Sequence, residues 1–228
     1  MPPRNANSGS DAAVRDAIVA AGRRLREAGL VAATEGNLSV RIGAEALLIT
    51  PSGRRKDELA PDELVVVPLV EQAAAPPGPD GPAGDGRPSS DLAIHRAVYG
   101  ARADVTSVAH AHLPASMGLT LAGEIPDPAA LPETALFLGR LPFLPFGEPG
   151  SAELAGRVAT ALVDGDEPSP VAVLLERHGA VAIGRGDLEA SIREAVDRLE
   201  LVEVLCRTWR DALVVRAARA AAASSGES

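Results

Sequence analysis

The stretch Asn37-Leu38-Ser39-Val40-Arg41-Ile42-Gly43-Ala44-Glu45-Ala46-Leu47-Leu48-Ile49-Thr50 decides how the rest of the chain is read. Leu38, Val40 and Ile42 alternate with polar neighbours, the period of a strand with one face turned inward. After Gly43 a second apolar run, Ala46 to Thr50, completes an antiparallel hairpin. Upstream, Val14, Ile18, Ala21 and Leu25 recur at spacings of three and four, which predicts an amphipathic helix over about Asp11 to Ala28 with Gly29 as its terminator. Downstream, the same reasoning gives a strand at Glu63 to Val70, a helix at Ser90 to Tyr99, a strand at Asp104 to His112 and a helix at Pro114 to Leu121. After a proline-rich stretch come a helix at Ser151 to Val163 and strands at Val171 to Glu176 and Ala180 to Ile183. The last helix begins at Asp187, where Leu188, Ile192, Val196, Leu199, Val202, Cys206 and Trp209 recur every three or four residues. Hairpins mixed with helices point to an α/β layered fold around a mostly antiparallel sheet rather than a doubly wound parallel one.

One domain, about 11–213, is expected. Residues 1–10 form a frayed N-terminal tail, and 214–228 a flexible C-terminal one, alanine-rich and without useful periodicity from Ala220 on. Residues 73–88 read as a Pro/Gly-rich surface loop inside the domain, because neither flank makes a convincing domain alone. A chain of 228 residues, 46% hydrophobic, can bury roughly 70% of its unfolded surface without disulfides or a structural metal. Any metal it binds is therefore read as functional. Asp and Glu number 31 against 22 Lys and Arg, a net charge of −9, the wrong sign for binding a phosphate backbone by counterion release. Nucleic acid is not expected as a partner. No apolar run approaches the roughly 20 residues that span a bilayer, so a membrane is not expected either. The single cysteine and the absence of a leader-like N-terminus place the chain in the cytoplasm.

His110-Ala111-His112 ends a predicted strand, and alternation turns both imidazoles to one face, within reach of one ion. His178 follows another strand, next to Gly179, where the backbone can turn. Three neutral imidazoles with an open fourth position suit a catalytic zinc, although a chance His-x-His is more often structural. His95 reads most simply as a helix-face residue packing beside Ile94 and Val98. Three segments, Thr34-Glu35-Gly36-Asn37, Thr50-Pro51-Ser52-Gly53 and Pro88-Ser89-Ser90-Asp91, put small polar residues at element boundaries, where free backbone N–H groups converge on a phosphate. Each alone reads more simply as an ordinary cap or turn than as a ligand contact; their conjunction is what informs.

These motifs in this order, Gly36-Asn37-Leu38-Ser39-Val40-Arg41, Ile49-Thr50-Pro51-Ser52-Gly53, Pro88-Ser89-Ser90-Asp91 with His95, His110-Ala111-His112, and His178-Gly179 with Gly184, resemble the class II aldolase/adducin superfamily over about residues 12 to 210. The resemblance implies a single α/β/α domain and, for members like fuculose-phosphate aldolase, a homotetramer with active sites at subunit interfaces. It implies Zn2+, or another divalent metal, on His110, His112 and His178. Thr34, Gly36, Asn37, Ser52, Gly53, Ser89 and Ser90 match the substrate-phosphate pocket. Asp91 stands where aldolase-type members carry the acid/base glutamate, and an aspartate is more like the ribulose-phosphate 4-epimerase branch. Its alternative reading is a residue favouring a helix N-terminus. The implied activity is zinc-dependent cleavage or formation of a C–C bond in a small phosphorylated ketose through a metal-stabilised enediolate. A sugar-phosphate 4-epimerase, or a dehydratase or decarboxylase of a related phosphorylated keto compound, is the alternative, and a non-catalytic assembly module like the adducin head the different-class reading. The tyrosines such enzymes use are missing. Tyr99 lies inside a helix, and Glu133, in the middle segment, is a candidate substitute that reads more simply as a solvated charge. Lys56 sits in a charged cluster not expected to depress its pKa, and Cys206 reads as core.

Overall fold

The computed structural model describes residues 8–70, 86–163 and 168–225. Helix α1 (Ser8–Glu27) leads to strands β1 (Asn37–Arg41), β2 (Ala46–Ile49) and β3 (Val65–Pro68); α2 (Leu92–Ala101), β4 (Val105–Ala111) and α3 (Pro114–Leu121) follow. Then come α4 (Pro132–Phe137), β5 (Phe143–Leu144), α5 (Ala152–Val163), β6 (Ala172–Leu175), β7 (Gly179–Arg185) and α6 (Leu188–Ser225). The strands form a seven-stranded sheet in the order β3-β2-β1-β4-β7-β6-β5. Every pairing is antiparallel except β5 with β6. The expected layered α/β fold around a mostly antiparallel sheet is the one observed.

The apolar faces read from the sequence explain the layers. Helix α6 packs on β7, β4 and β1 and against α1 and α3, while α2 and α5 pack on each other and cover the opposite face through β4 and β6. Val14, Ile18 and Leu25 of α1, and Ile192, Val196, Leu199 and Val202 of α6, are all buried, as their spacing requires. Asp187 starts α6 by accepting from the N–H groups of Glu189 and Ala190 at 3.1 and 3.0 Å, the usual N-cap arrangement. Buried Glu203 of α6 accepts from the N–H of Ala115 at 3.1 Å and so ties the first turn of α3 to α6.

Three expectations need correction. The C-terminal segment is helical through Ser225, although its residues beyond Leu213 are exposed; alanine and arginine are strong helix formers and extend the helix past its packed part. Likewise α1 begins at Ser8, inside the expected N-terminal tail. The proline-rich middle holds a short helix, α4, and a short parallel edge strand, β5. Pro132 at the first helical position of α4 and a two-residue strand are signals too brief for periodicity to reveal. Of the loop at 73–88, residues 73–85 lie outside the described residues; its end is fixed by an isolated bridge between Pro51 and Pro88.

Candidate metal centre and its surroundings

The site forms where three central strands meet. His110 on β4 lies opposite Asn37 of β1 and Val181 of β7, and His112 follows just past the strand end. His178 closes the turn between β6 and β7. Two neighbouring segments, the start of β7 and the residues before β1, press against the end of β4 only because they carry no side chain there. Gly179, at φ +107°, would place a Cβ 2.0 Å from the Ala111 carbonyl oxygen, and Gly36, at φ +73°, would place one 2.9 Å from the His110 carbonyl oxygen. The residues before His178 and Thr34, Arg177 at φ 57° and Ala33 at φ 44°, also hold left-handed backbone without being glycine, strain of the kind that gathers at functional sites.

The three imidazoles stand edge to face, with centroids 4.7 to 5.1 Å apart. Their ligand atoms all lie within 4.8 Å of one another. His110 donates from Nδ1 to the Ala180 carbonyl at 2.9 Å, which leaves the Nε2 lone pair free. That Nε2, and Nδ1 of His178, are buried without a hydrogen-bond partner among the described residues. Orphaned buried nitrogens are costly unless something binds them. Burial, helped by the His178 ring, pushes the His110 pKa down to about 3, and burial also lowers that of His178. Both are neutral at physiological pH, the form a metal needs. The donor set therefore fits a divalent cation such as zinc.

Beside the triad, Asp91 Oδ2 lies 3.8 Å from His110 Nε2. Asp91 occupies the N-cap position of α2, yet its side chain makes no capping bond. It accepts instead from Asn37 Nδ2 at 2.9 Å. Burial alone would raise the Asp91 pKa; His110, with His178 and His95, when they carry charge at acid pH, and the hydrogen bond from the Asn37 amide outweigh it, so the carboxyl lies below its usual range. The three small-residue segments also meet here. Leu38 N–H donates to Thr50 Oγ1 at 3.1 Å, Ser89 N–H to the Thr50 carbonyl at 3.2 Å, and Ser52 N–H to the Arg87 carbonyl at 2.9 Å. Thr34 and Ser90 are exposed, Ser52 and Gly53 half-buried, and Ser89 and Asn37 buried.

Residues 16–210 match the family model described as Class II Aldolase and Adducin N-terminal domain. The chain belongs to this family. The 5-methylthioribulose-1-phosphate/5-deoxyribulose-1-phosphate aldolase of Rhodospirillum rubrum is 36% identical over 203 residues, 89% of this chain and 83% of that protein. A 3-oxo-tetronate 4-phosphate decarboxylase of Cupriavidus necator is 32% identical over 208 residues, 88% and 85% of the respective chains. Among solved structures, l-fuculose-1-phosphate aldolase from Thermus thermophilus matches with a TM-score of 0.75 at 29% identity, covering 91% of this chain and 97% of that one. This class II aldolase family member is an enzyme whose relatives bear the names of more than one reaction.

Other polar residues of this family member stand differently from their sequence reading. Lys56 is 2% exposed: Gly22 lets its backbone approach α1, and its Nζ donates to the carbonyls of Thr34 at 2.8 Å and Arg54 at 2.6 Å. Burial lowers its pKa to about 8, contrary to expectation, because its neighbours Arg54 and Arg55 turn outward to acidic partners while Lys56 turns in. Glu133 sits in the first turn of α4 and lines a cavity with Phe137 and the α6 residues Glu194, Asp197 and Leu201, rather than lining the triad. Tyr99 is buried, and its pKa is raised by burial. Cys206 is buried, as its helical spacing indicates. The sequence reading passed over Glu35, whose Oε1 lies 3.5 Å from His112 Nδ1. A carboxylate between two segments singled out for phosphate and metal was the available signal.

Proposed function

We propose that this enzyme is a metal-dependent lyase acting on a small phosphorylated ketose, with Asp91 as its proton-transfer group. The observation that carries the reading is the buried Asp91 carboxylate 3.8 Å from a free imidazole nitrogen of a three-histidine cluster. His110, His112 and His178 would hold the metal, with zinc the ion expected. When bound, such an ion supplies a Lewis acid that polarises a carbonyl. The chain's own residues do the rest. Thr34, Gly36, Asn37, Ser52, Gly53, Ser89 and Ser90 surround the place for the phosphate, with backbone N–H groups and hydroxyls as donors. In aldol cleavage Asp91, held as a carboxylate, takes the proton of the hydroxyl on the second carbon from the carbonyl. It returns that proton to the carbon next to the carbonyl, as the bond between those two carbons breaks and a ketone and an aldehyde leave. Asn37 keeps Asp91 from rotating away. The reading includes a cytoplasmic homotetramer with sites at subunit interfaces. No helix among the described residues is long and apolar enough to cross a membrane.

The reaction we favour is aldol cleavage, supported by the similarity to the Rhodospirillum rubrum aldolase over most of both chains. The match to a decarboxylase over a comparable share supports a second reading, in which the bond broken is to a carboxyl carbon. Zinc-loaded protein incubated with 5-deoxyribulose 1-phosphate should release dihydroxyacetone phosphate and acetaldehyde. Carbon dioxide from 3-oxo-tetronate 4-phosphate, without aldol cleavage, would select the decarboxylase. Failure to take up any divalent metal would overturn both.

A further inference from the structure

The sequence places Asp91, His95 and Tyr99 four residues apart and Asn37, Ser39 and Arg41 two apart. Four residues of helix rise about 6 Å and two of strand about 6.8 Å, so the two rows stay level where α2 lies along β1. They meet side by side. Asn37 Nδ2 donates to Asp91 Oδ2 at 2.9 Å, His95 Nε2 lies 2.5 Å from Asn37 Oδ1, and Ser39 Oγ lies 2.6 Å from His95 Nδ1 and 2.8 Å from the Tyr99 hydroxyl. Arg41 closes the row by donating to the Tyr99 carbonyl. Asn37, Ser39, His95 and Tyr99 are each at most 2% exposed, so bulk water does not compete for their partners.

With His95 neutral, only one assignment of hydrogens satisfies the contacts that run from Asp91 to Tyr99. A carboxylate accepts and never donates, so Asn37 must turn its NH2 to Asp91 and its oxygen to His95. His95 must then carry its hydrogen on Nε2 and accept at Nδ1. Ser39 gives its hydrogen to that nitrogen, and Tyr99 gives its own to Ser39, with the Thr106 carbonyl, at 3.4 Å, a poorer alternative. Every bond in the chain donates towards Asp91.

We propose that His95 is a positioning residue for Asp91: as the Nε2–H tautomer it locks the Asn37 amide in the one orientation that presents a donor to the carboxylate. The inference rests on the reading of Asp91 as the proton-transfer group. It gives the Asn37 side chain a task other than holding phosphate. The assignment takes His95 as neutral, in keeping with its complete burial, which lowers its pKa to about 4.

Two measurements test it. Nitrogen-15 spectra of the zinc-loaded, histidine-labelled protein should show His95 protonated at Nε2 and bare at Nδ1; the opposite tautomer overturns the proposal without reference to activity. His95→Leu, which removes the donor, should lower kcat at least tenfold while leaving KM and bound zinc within twofold, and His95→Gln, whose amide can reach Asn37, should recover most of the loss. Unchanged kcat in His95→Leu, with Asp91→Asn inactive, overturns the positioning role alone. Full activity in Asp91→Asn removes instead the reading on which the role depends. Equal losses in His95→Leu and His95→Gln also overturn it, since packing rather than the donor would then matter.

Discussion

Around His110 the polar neighbours are buried and mutually bonded: the imidazole is fully enclosed, Asp91 is 6% exposed, and Asn37 and Ala180 hold them in place. Around His112 the surroundings are open. The His112 side chain is 23% exposed and its acidic neighbour Glu35 40%, with exposed Thr34 alongside. On the proposed function, the two halves of one cluster would divide the work a lyase must do. Enclosure would fix the proposed proton-transfer group and keeps His110 neutral, whereas openness would admit a polar substrate. A site enclosed all round would hold its groups well and exclude its reactant.

If this division is correct, substitutions on the closed side should cost more than those on the open side. His110→Ala should abolish both zinc retention and turnover, read by metal analysis and product release, because it removes a ligand whose Nδ1 is already oriented by Ala180. Asp91→Asn should keep the metal and the fold but lower kcat by roughly 10²- to 10⁴-fold, the usual range for a general acid or base. A smaller effect concerns pH and the closed side alone. His95 titrates near 6.5 when unfolded but near 4 when folded, so its stabilisation is complete above pH 6.5 and is lost as pH falls towards 4. At 1.36 kcal/mol per pKa unit this is about 3 kcal/mol. Urea denaturation of the metal-free protein at pH 7 and pH 4 should show a smaller pH dependence in His95→Gln than in the parent. The smallest effect belongs to the open side: Glu35→Gln should weaken zinc binding by about tenfold, the lower end for a carboxylate behind a ligating histidine. A loss as large as that of His110→Ala would erase the contrast between the halves.

The strands and most helices were legible because period two and period four each bury one face, and Leu38, Val40, Val14 and Ile192 all lie where that rule puts them. The histidine cluster was legible from His110-x-His112 together with the place of His178 before a glycine. What escaped was side-chain company across the chain. Nothing in Arg54-Arg55-Lys56 says that only the third turns inward, and β5 joins β6 through two residues. The row Asp91, His95, Tyr99 was present at helical spacing, but its meaning depends on β1 lying alongside, and a single segment cannot state its neighbour. Asp91 shows the same limit: the cap reading suited its position, and only the proximity of Asn37 redirects its side chain.

His110 lies in the middle strand of the sheet, and His178 in the turn that begins the strand beside it. An ion bridging them would join segments 68 residues apart in sequence that come together only when β4 and β7 are paired along their length. Binding of such an ion would therefore be coupled to global rather than local unfolding. Saturating metal should slow exchange of the most protected amides of β4 and β7, rather than only those of the surrounding loops.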